Sequence, residues 1–457
     1  MKNMIKKNKE YELEIIDLTY EGFGVAKIDG FPVFIENTLP QEIVNVVITK
    51  VLRKFAYGRA LEIITPSPDR VEITDKVGTR IGTMPLQHMS YDLQLRFKQK
   101  MVRETLAKEI DMSGVEVHET LGMETPWGYR NKAQIPVRMI EGQLETGFFK
   151  RGTHSLIPIE NYHIQDPKID EAILKVRDIL RSFDVHAYDE NKHSGVIRHI
   201  IVRRGQFSED MMIILVTNGN NLKPKEAITN AIQEAIPHLV SLVQNINAKK
   251  TNVIMGEENV VLYGNDFYTD DLMGKKFCIS SQSFYQVNSK QTEVLYQKAI
   301  DLAELKPTDT VIDAYCGIGT ISLNLAQHAK HVYGVEIVPD AIVMAKFNAI
   351  ENNISNATFE VGKAEEVMVK WVEEGLNVDV LVVDPPRRGL DPQFIEASLK
   401  TTPKRIVYVS CNPATLTRDL AVYLENGYEL MHVQPVDMFP QTVHVEVVIS
   451  MTLKNVD

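Results

Sequence analysis

The run Val311-Ile312-Asp313-Ala314-Tyr315-Cys316-Gly317-Ile318-Gly319-Thr320 passes from an apolar strand through a glycine turn into the helix-like Ile321–Ala326. Glycine at 317 and 319 lets the backbone come close to a ligand at the carboxyl end of that strand. A second strand ends Gly334-Val335-Glu336, about twenty residues on. Its acid stands where it can hold both hydroxyls of a ribose. The dinucleotide fingerprint's third glycine is missing, which counts against nicotinamide or flavin cofactors. Working outward, strand-like runs occur at 310–314, 331–335, 378–383, 405–409 and 443–452, each parted from the next by a helix-length segment. That alternation predicts a doubly wound α/β sheet over the last third of the chain.

The remainder is organised differently. Runs at 11–16, 31–35, 43–49 and 60–64, broken by Glu21-Gly22, Asp29-Gly30 and Leu39-Pro40, predict a small five-stranded barrel of OB-like kind over residues 1–64. Lys50, Arg53, Lys54 and Arg59, interleaved with Phe55 and Tyr57, form a basic, aromatic hairpin, to be weighed against an ordinary solvated one. Thr65-Pro66-Ser67-Pro68-Asp69 closes this unit, and residues 90–110 carry helical periodicity. The middle, about 125–275, mixes strands and helices as an α+β region. Residues 128–154 hold five basic side chains (Arg130, Lys132, Arg138, Lys150, Arg151) against two acidic ones, and Arg198, His199, Arg203 and Arg204 make a second basic knot. Both are candidate phosphate contacts, with a solvated face as the alternative.

Composition bounds what this can be. The 457 residues, 44% hydrophobic and 24% charged, suit about three globular domains. The longest apolar runs, such as 211–216, are far below the ~20 residues of a membrane helix, and residues 1–10 lack the apolar core of a secretory signal. Three cysteines (Cys278, Cys316, Cys411) permit neither a disulfide framework nor a four-cysteine metal cage, so a cytoplasmic setting is expected. A net charge of −11 leans against nucleic acid, unless the basic residues act locally.

Two further features carry chemistry. One strand ends Val409-Ser410-Cys411-Asn412-Pro413, and Pro413 suits the first position of a helix. Cys411 therefore lies at a helix N-terminus, where the dipole is expected to lower its pKa; Cys278 fits a core position better. In Val443-His444-Val445-Glu446-Val447-Val448, His444 and Glu446 share one face of a strand. An acid there needs either a task or a salt-bridge partner.

The strand–glycine–helix–strand–acid set, with Asp384-Pro385-Pro386-Arg387 closing a further strand, resembles class I S-adenosylmethionine-dependent methyltransferases. More specifically, residues 410–416 (SCNPATL), 384–389 (DPPRRG), 284–288 (FYQVN) and 440–446 (PQTVHVE) resemble the RNA uridine C5-methyltransferases of the RumA/TrmA kind. The likeness covers nearly the whole chain. Residues 1–64 resemble a TRAM RNA-binding domain and 128–132 (GYRNK) the family's central motif. The branch most similar is that of Gram-positive enzymes acting on 23S ribosomal RNA.

The resemblance implies a TRAM barrel over 1–64, a central RNA-binding domain over 65–89 and 125–275, and a catalytic domain over 90–124 and 276–457. It implies a transferase of class 2.1.1 that forms 5-methyluridine at one or two sites. Cys411 would add to C6 of uracil, C5 would take the methyl group, and Glu446 would remove the C5 proton. Gln286 and Arg388 are candidate donors to O4, with Asp384 on the uracil edge. Phe284 would support an extruded base unless it is simply core, and Arg130 and Lys132 would contact RNA. Gln286, Asp313, Tyr315, Gly317, Glu336 and Asp384 would hold S-adenosylmethionine. Expected partners are 23S stem-loops, with no membrane, the enzyme acting as a monomer.

The chain also departs from the family. Positions where many relatives bind an iron–sulfur cluster through four thiolates read Asp75, Ile81, Met84 and Tyr162, so no cluster is expected. Lys363 stands where relatives place an acceptor for the adenine amino group, and lysine has none. Rival readings are amino-group methylation through Asp-Pro-Pro, cytosine C5-methylation, a tRNA target, and a non-catalytic RNA-binding or ribosome-assembly factor. Arg387 in place of a stacking aromatic weighs against the first, and the lack of a second cysteine after Asp-Pro-Pro against cytosine. Intact Cys411 and Glu446 weigh against the last.

Overall fold

A computed structural model describes residues 5–454. The catalytic sheet has seven strands in the order Ala357–Val361, His331–Glu336, Thr310–Ala314, Val380–Val383, Arg405–Ser410, Glu446–Leu453, Tyr428–Val436. All neighbours are parallel except around Glu446–Leu453, which runs antiparallel to both of its neighbours. The order in which the chain adds strands reverses at Thr310–Ala314, outward to one edge and then to the other, and crevices open at such a switch point. Alternate residues of that strand enter two cores, Val311 on one face and Ile312 on the other. Helices Tyr91–Leu106, Ala364–Glu373, Pro392–Thr401 and Pro413–Glu425 cover one face, and Ser289–Ala303 and Pro339–Glu351 the other. With both faces buried, these strands read as near-continuous apolar runs.

Two strands of this sheet were not expected, Ala357–Val361 and Tyr428–Val436. Both are edge strands, and the first buries only Phe359. The last strand starts at Glu446 rather than Val443; His444 lies in the preceding loop, exposed, and does not share a strand face with Glu446.

The central sheet runs Glu258–Gly264, Leu239–Ile246, Met211–Thr217, Ile197–Arg204, Lys132–Ile140, Gln143–Phe149, Leu156–Pro158. In Met211–Thr217, residues 211, 213 and 215 face helices Pro167–Ser182 and Lys225–Ala235. Residues 212, 214 and 216 face a core shared with the hairpin Phe267–Leu272/Lys275–Ser280 and with helix Ser289–Ala303. The two sheets are thereby packed into one body through that shared layer.

The N-terminal barrel has six strands, one more than expected, because Asp17–Leu18 and Gly24–Ile28 both pair. Gly24 has no room for a side chain: a Cβ there would lie 2.1 Å from Thr38 Oγ1. Phe34, Phe55 and Tyr57 cluster at the base of the basic hairpin, ring centroids 5.0–6.2 Å apart.

The knot at 198–204 is not a phosphate surface. Arg198 is buried and donates to the carbonyls of Asn247, Lys249 and Thr251, with its guanidinium 4.5 Å over the Tyr188 ring. Arg204 pairs with Asp166 and Glu209, both at 2.7 Å. Arg203 is buried as well, and the ring of His199 is held largely neutral, its pKa pushed down to about 4 by burial and by Arg138 and Arg198. These cations neutralise backbone and carboxylate oxygens inside the protein, so they are not free for phosphate. Among the described residues no helix is long and apolar enough to cross a membrane.

Candidate active site

The glycine turn is shaped for a ligand. Tyr315, Gly317 and Gly319 all have φ in the left-handed region (70°, 55° and 84°). For Tyr315 that is a strained conformation, of a kind that collects at functional sites. Open space lies where a Cβ on Gly317 would point. The N–H groups of Tyr315 and Cys316 donate to Val335 O, fixing the turn against the neighbouring strand. Glu336 accepts from Gly317 N (3.3 Å) and Val338 N (3.0 Å). Asp313 is buried; one oxygen accepts from Ser322 Oγ, while Oδ1 has no partner among the described residues. Burial pushes its pKa up to about 7, against the Ser322 bond and with help from the charge of Asp384. An unsatisfied buried oxygen beside an open glycine cradle fits a ligand carrying hydrogen-bond donors.

Across the crevice, Asp384 follows strand Val380–Val383 and is likewise pushed up to about 7 by burial. The turn after it is clamped by the helix beyond Cys411. Asn412 Nδ2 and Thr415 Oγ1 donate to Arg387 O, and Arg418 donates to Arg388 O. Arg387 and Arg388 are both exposed and diverge in what they influence. The field of Arg387 reaches Cys411 and Glu446, whereas that of Arg388 reaches Tyr315. Arg387 is thus the arginine of the pair whose charge acts on the thiol, while Arg388 keeps its place as a candidate donor to O4.

Cys411 sits where expected, between strand Arg405–Ser410 and helix Pro413–Glu425, whose N-cap is Asn412. Its acidity is the reverse of the expectation. Burial, then Glu446 and Asp384, push the thiol up to about 11, and Arg387 only partly opposes them. Two carboxylates and lost solvation outweigh the roughly half charge of one helix end. Alkylation of Cys411 by iodoacetamide should therefore accelerate about tenfold per pH unit from 7 to 9 without levelling off. A plateau below pH 8 would show an activated thiolate instead.

Glu446 is 4% exposed and, among the described residues, has no ion-pair partner, so the structural salt bridge is not its role. Burial and the neighbouring Asp384 hold its carboxyl well above the usual range. The loop leading to it is pinned by side chains from the first helix of the catalytic unit. Buried Lys98 pairs with Asp437 at 2.6 Å and donates to Phe439 O; Tyr91 donates to the other Asp437 oxygen; Gln94 accepts from Gln441 N. Tyr129 donates to Pro440 O. Gln441 keeps a left-handed φ of 70° within this frame.

The segment with the Phe-Tyr-Gln motif completes the crevice. Phe284 is 69% exposed, so it is not core. Gln286 is buried, its side chain bonded to the Tyr296 phenol, which also meets Thr320 Oγ1 at 3.3 Å. Arg130 and Lys132 are half-buried and, among the described residues, have no carboxylate partner. Burial, together with Arg203 and Arg130, pushes Lys132 down to about 7. Two cations without anions beside an exposed aromatic suit a phosphate-bearing ligand.

The positions that could answer to a metal cluster do not fit one. Ile81, Met84 and Tyr162 pack with Tyr129 and Ile164 in one apolar cluster. Asp75 caps the helix Lys76–Ile81 through Gly78 N (2.7 Å). The set offers no thiolate, and Met84 Cε would lie 1.9 Å from a Cβ on Gly78, so the space is filled by packing. Lys363 is exposed and paired with Glu366 at 2.6 Å.

Comparison with known proteins agrees with this geometry. The family model described as tRNA (Uracil-5-)-methyltransferase matches residues 90–454, and the TRAM domain model matches 6–61. An RNA methyltransferase of Lactiplantibacillus plantarum, itself uncharacterized, is 54% identical over 97% of both chains. One from Enterococcus faecalis, also uncharacterized, is 52% identical over 99% of both. The crystal structure of Pyrococcus abyssi tRNA (uracil-54, C5)-methyltransferase with S-adenosyl-L-homocysteine is 28% identical, with a TM-score of 0.77 over 97% of this chain and 100% of that one. Cradle, crevice and comparisons converge: the chain belongs to the tRNA (uracil-5-)-methyltransferase family of S-adenosylmethionine-dependent RNA methyltransferases, with a TRAM domain at its N-terminus.

Proposed function

We propose that this enzyme methylates C5 of uridines in stem-loops of 23S ribosomal RNA, at one or two sites, through a covalent bond between Cys411 and C6. The observation that carries the chemistry is the placement of Cys411 and Glu446 on one crevice with Asp384, each within the others' field and neither carboxylate in an ion pair among the described residues. The ribosomal target is supported by the likeness of the four motifs to the Gram-positive branch.

Bound S-adenosylmethionine supplies an electrophilic methyl group. Asp313, Tyr315, Gly317, Glu336, Gln286 and Asp384 line the cradle that would hold it. Uracil C5 is too poor a nucleophile to take that methyl unaided. The Cys411 thiolate adds to C6, moving electron density through C5 to O4. Gln286 and the arginines after Asp384 oppose the charge gathering at O4. Once C5 has taken the methyl group, Glu446 removes the proton that C5 still carries, and sulfur leaves as the double bond re-forms. A carboxylate held above its ordinary pKa is a stronger base for that step.

In this reading the barrel over 1–64 and the region 65–89 plus 125–275 hold RNA, while 90–124 and 276–457 carry out the chemistry. The enzyme acts in the cytoplasm as a monomer, since one chain supplies every group named. Transfer of labelled methyl groups to 23S transcripts and to tRNA tests the target. The tRNA reading, favoured by the Pyrococcus abyssi similarity, wins if tRNA alone is labelled.

Lys132 gives a separate test of RNA contact. With its pKa near 7, it is charged below pH 7 and neutral above, and a phosphate favours the charged form. RNA affinity should therefore fall by up to about tenfold per pH unit above 7. In Lys132→Met that slope should flatten, as measured by filter binding; an unchanged slope rejects the contact.

A further inference from the structure

Residues 281–288, which carry Phe284 and Gln286, belong to no helix or strand; they join strand Lys275–Ser280 to helix Ser289–Ala303. Such a segment has no ladder to fix it, and a side chain that must meet a base within about half an ångström cannot be left to a loose loop. Tyr285 donates to Asp270 and Asn288 to Met438 O, but the bonds on either side of Phe284 come from the central sheet. Arg203 donates Nη1 to Ser280 O (3.2 Å) and Nη2 to Ser283 O (2.8 Å). Asn131 donates Nδ2 to Gln286 O and to Ser289 Oγ (both 2.9 Å), and its own N–H to Val287 O (2.8 Å). The two grips bracket Phe284. They arise side by side, because Arg203 is the register partner of Lys132 and Arg204 N donates to Asn131 O.

Arg203 is an expensive residue to keep there. It is 2% exposed, has no carboxylate partner among the described residues, its Nε finds no acceptor among them, and the other group that meets its charge is the buried Tyr268 phenol. Burying an unpaired guanidinium is costly, and an apolar side chain would fill the space with less penalty. What a guanidinium alone provides is two donors at a fixed spacing, and both go to the ends of the Ser280–Ser283 turn.

We propose that Arg203 and Asn131 are positioning residues, which hold the 281–288 segment so that Phe284 stands ready for an extruded base and Gln286 faces the crevice. Neither touches reacting atoms. The same strand pair carries Lys132, with Arg130 just before it, so phosphate contact and base placement share one rigid element. This inference rests on the uracil-extruding reading of the site for its purpose, though not for its mechanics.

Hydrogen exchange on the full-length enzyme tests the mechanics without RNA. In Arg203→Lys, and separately in Asn131→Ala, amides of 281–288 should exchange about tenfold or more faster, while Arg405–Ser410 stays protected. Steady-state kinetics with in vitro-transcribed 23S RNA, or tRNA if wild type labels only that, test the purpose. The KM for RNA should rise about tenfold in either variant, but less than about twofold further when Phe284 is already alanine, because both changes then remove one function. Unchanged exchange in 281–288 overturns the proposal, as does a loss that adds in full to that of Phe284→Ala. If Arg203→Lys does not fold, Asn131→Ala decides alone. If wild type labels neither RNA, the proposed function fails, and the exchange result still decides whether these residues hold the segment.

Discussion

Replacing Cys411 by alanine lowers methyl transfer by about 10,000-fold or more, equivalent to about 5.5 kcal/mol of lost transition-state stabilisation. Every other contact in the crevice survives that substitution; what disappears is the sulfur that makes C5 a nucleophile. Binding of S-adenosylmethionine should stay within about threefold of wild type, because Cys411 is not among the residues that line the cradle and the glycine turn and Glu336 stand on strands Thr310–Ala314 and His331–Glu336. The fold should also survive. Cys411 is only half-buried, and the cap that starts the following helix belongs to Asn412. RNA containing 5-fluorouridine sharpens the test. Fluorine cannot leave as a cation, so wild type should form a complex with it that survives denaturing gels, and the alanine variant should form none. A variant retaining a tenth of wild-type activity would remove the covalent step from the mechanism.

Much of this site was legible because its chemistry is local in sequence. The glycine turn, Glu336, Asp-Pro-Pro and Ser-Cys-Asn-Pro each end a strand of one sheet, so neighbours along the chain predict neighbours in space. What was misread depended on partners far away. The cationic knot at 198–204 looks like a phosphate surface until Arg198 is seen to bond carbonyls some fifty residues on, at Asn247, Lys249 and Thr251. The Cys411 thiol was assigned the sign its helix end dictates, whereas burial decides it, with the charges of Glu446 and Asp384 brought in from elsewhere in the sheet. The missed edge strand Tyr428–Val436 alternates polar residues and contains Pro435, a pattern permitted only at an edge. The Val443–Glu446 alternation continues a strand on paper, yet the chain is bound just before it, at Gln441, to the helix Tyr91–Leu106 and pairs only from Glu446 onward. Arg203 was noticed, but for its charge rather than its two donors.

Glu446→Gln should separate the two halves of the reaction. The amide keeps the volume of the carboxyl, so the buried position is filled without a cavity, but it cannot accept the C5 proton. Addition of Cys411 and methylation can still occur; elimination cannot, and the loss expected from removing a general base is about 100- to 10,000-fold in turnover. The consequence unique to this order of steps is accumulation. Methylated RNA should remain bonded to Cys411 and run as a one-to-one complex on denaturing gels, labelled from S-adenosylmethionine, with unmodified RNA and no fluorine required. The double variant with Cys411→Ala should show neither label nor complex. The carboxylate also helps hold the thiol up, so removing its charge should make Cys411 of the free enzyme alkylate faster than wild type at alkaline pH. Faster alkylation with slower turnover is a combination that damage to the fold does not produce, since unfolding would expose Cys411 and lower binding of S-adenosylmethionine together. If Glu446→Gln turns over at the wild-type rate, another base takes the proton, and Asp384, buried beside it, becomes the residue to replace.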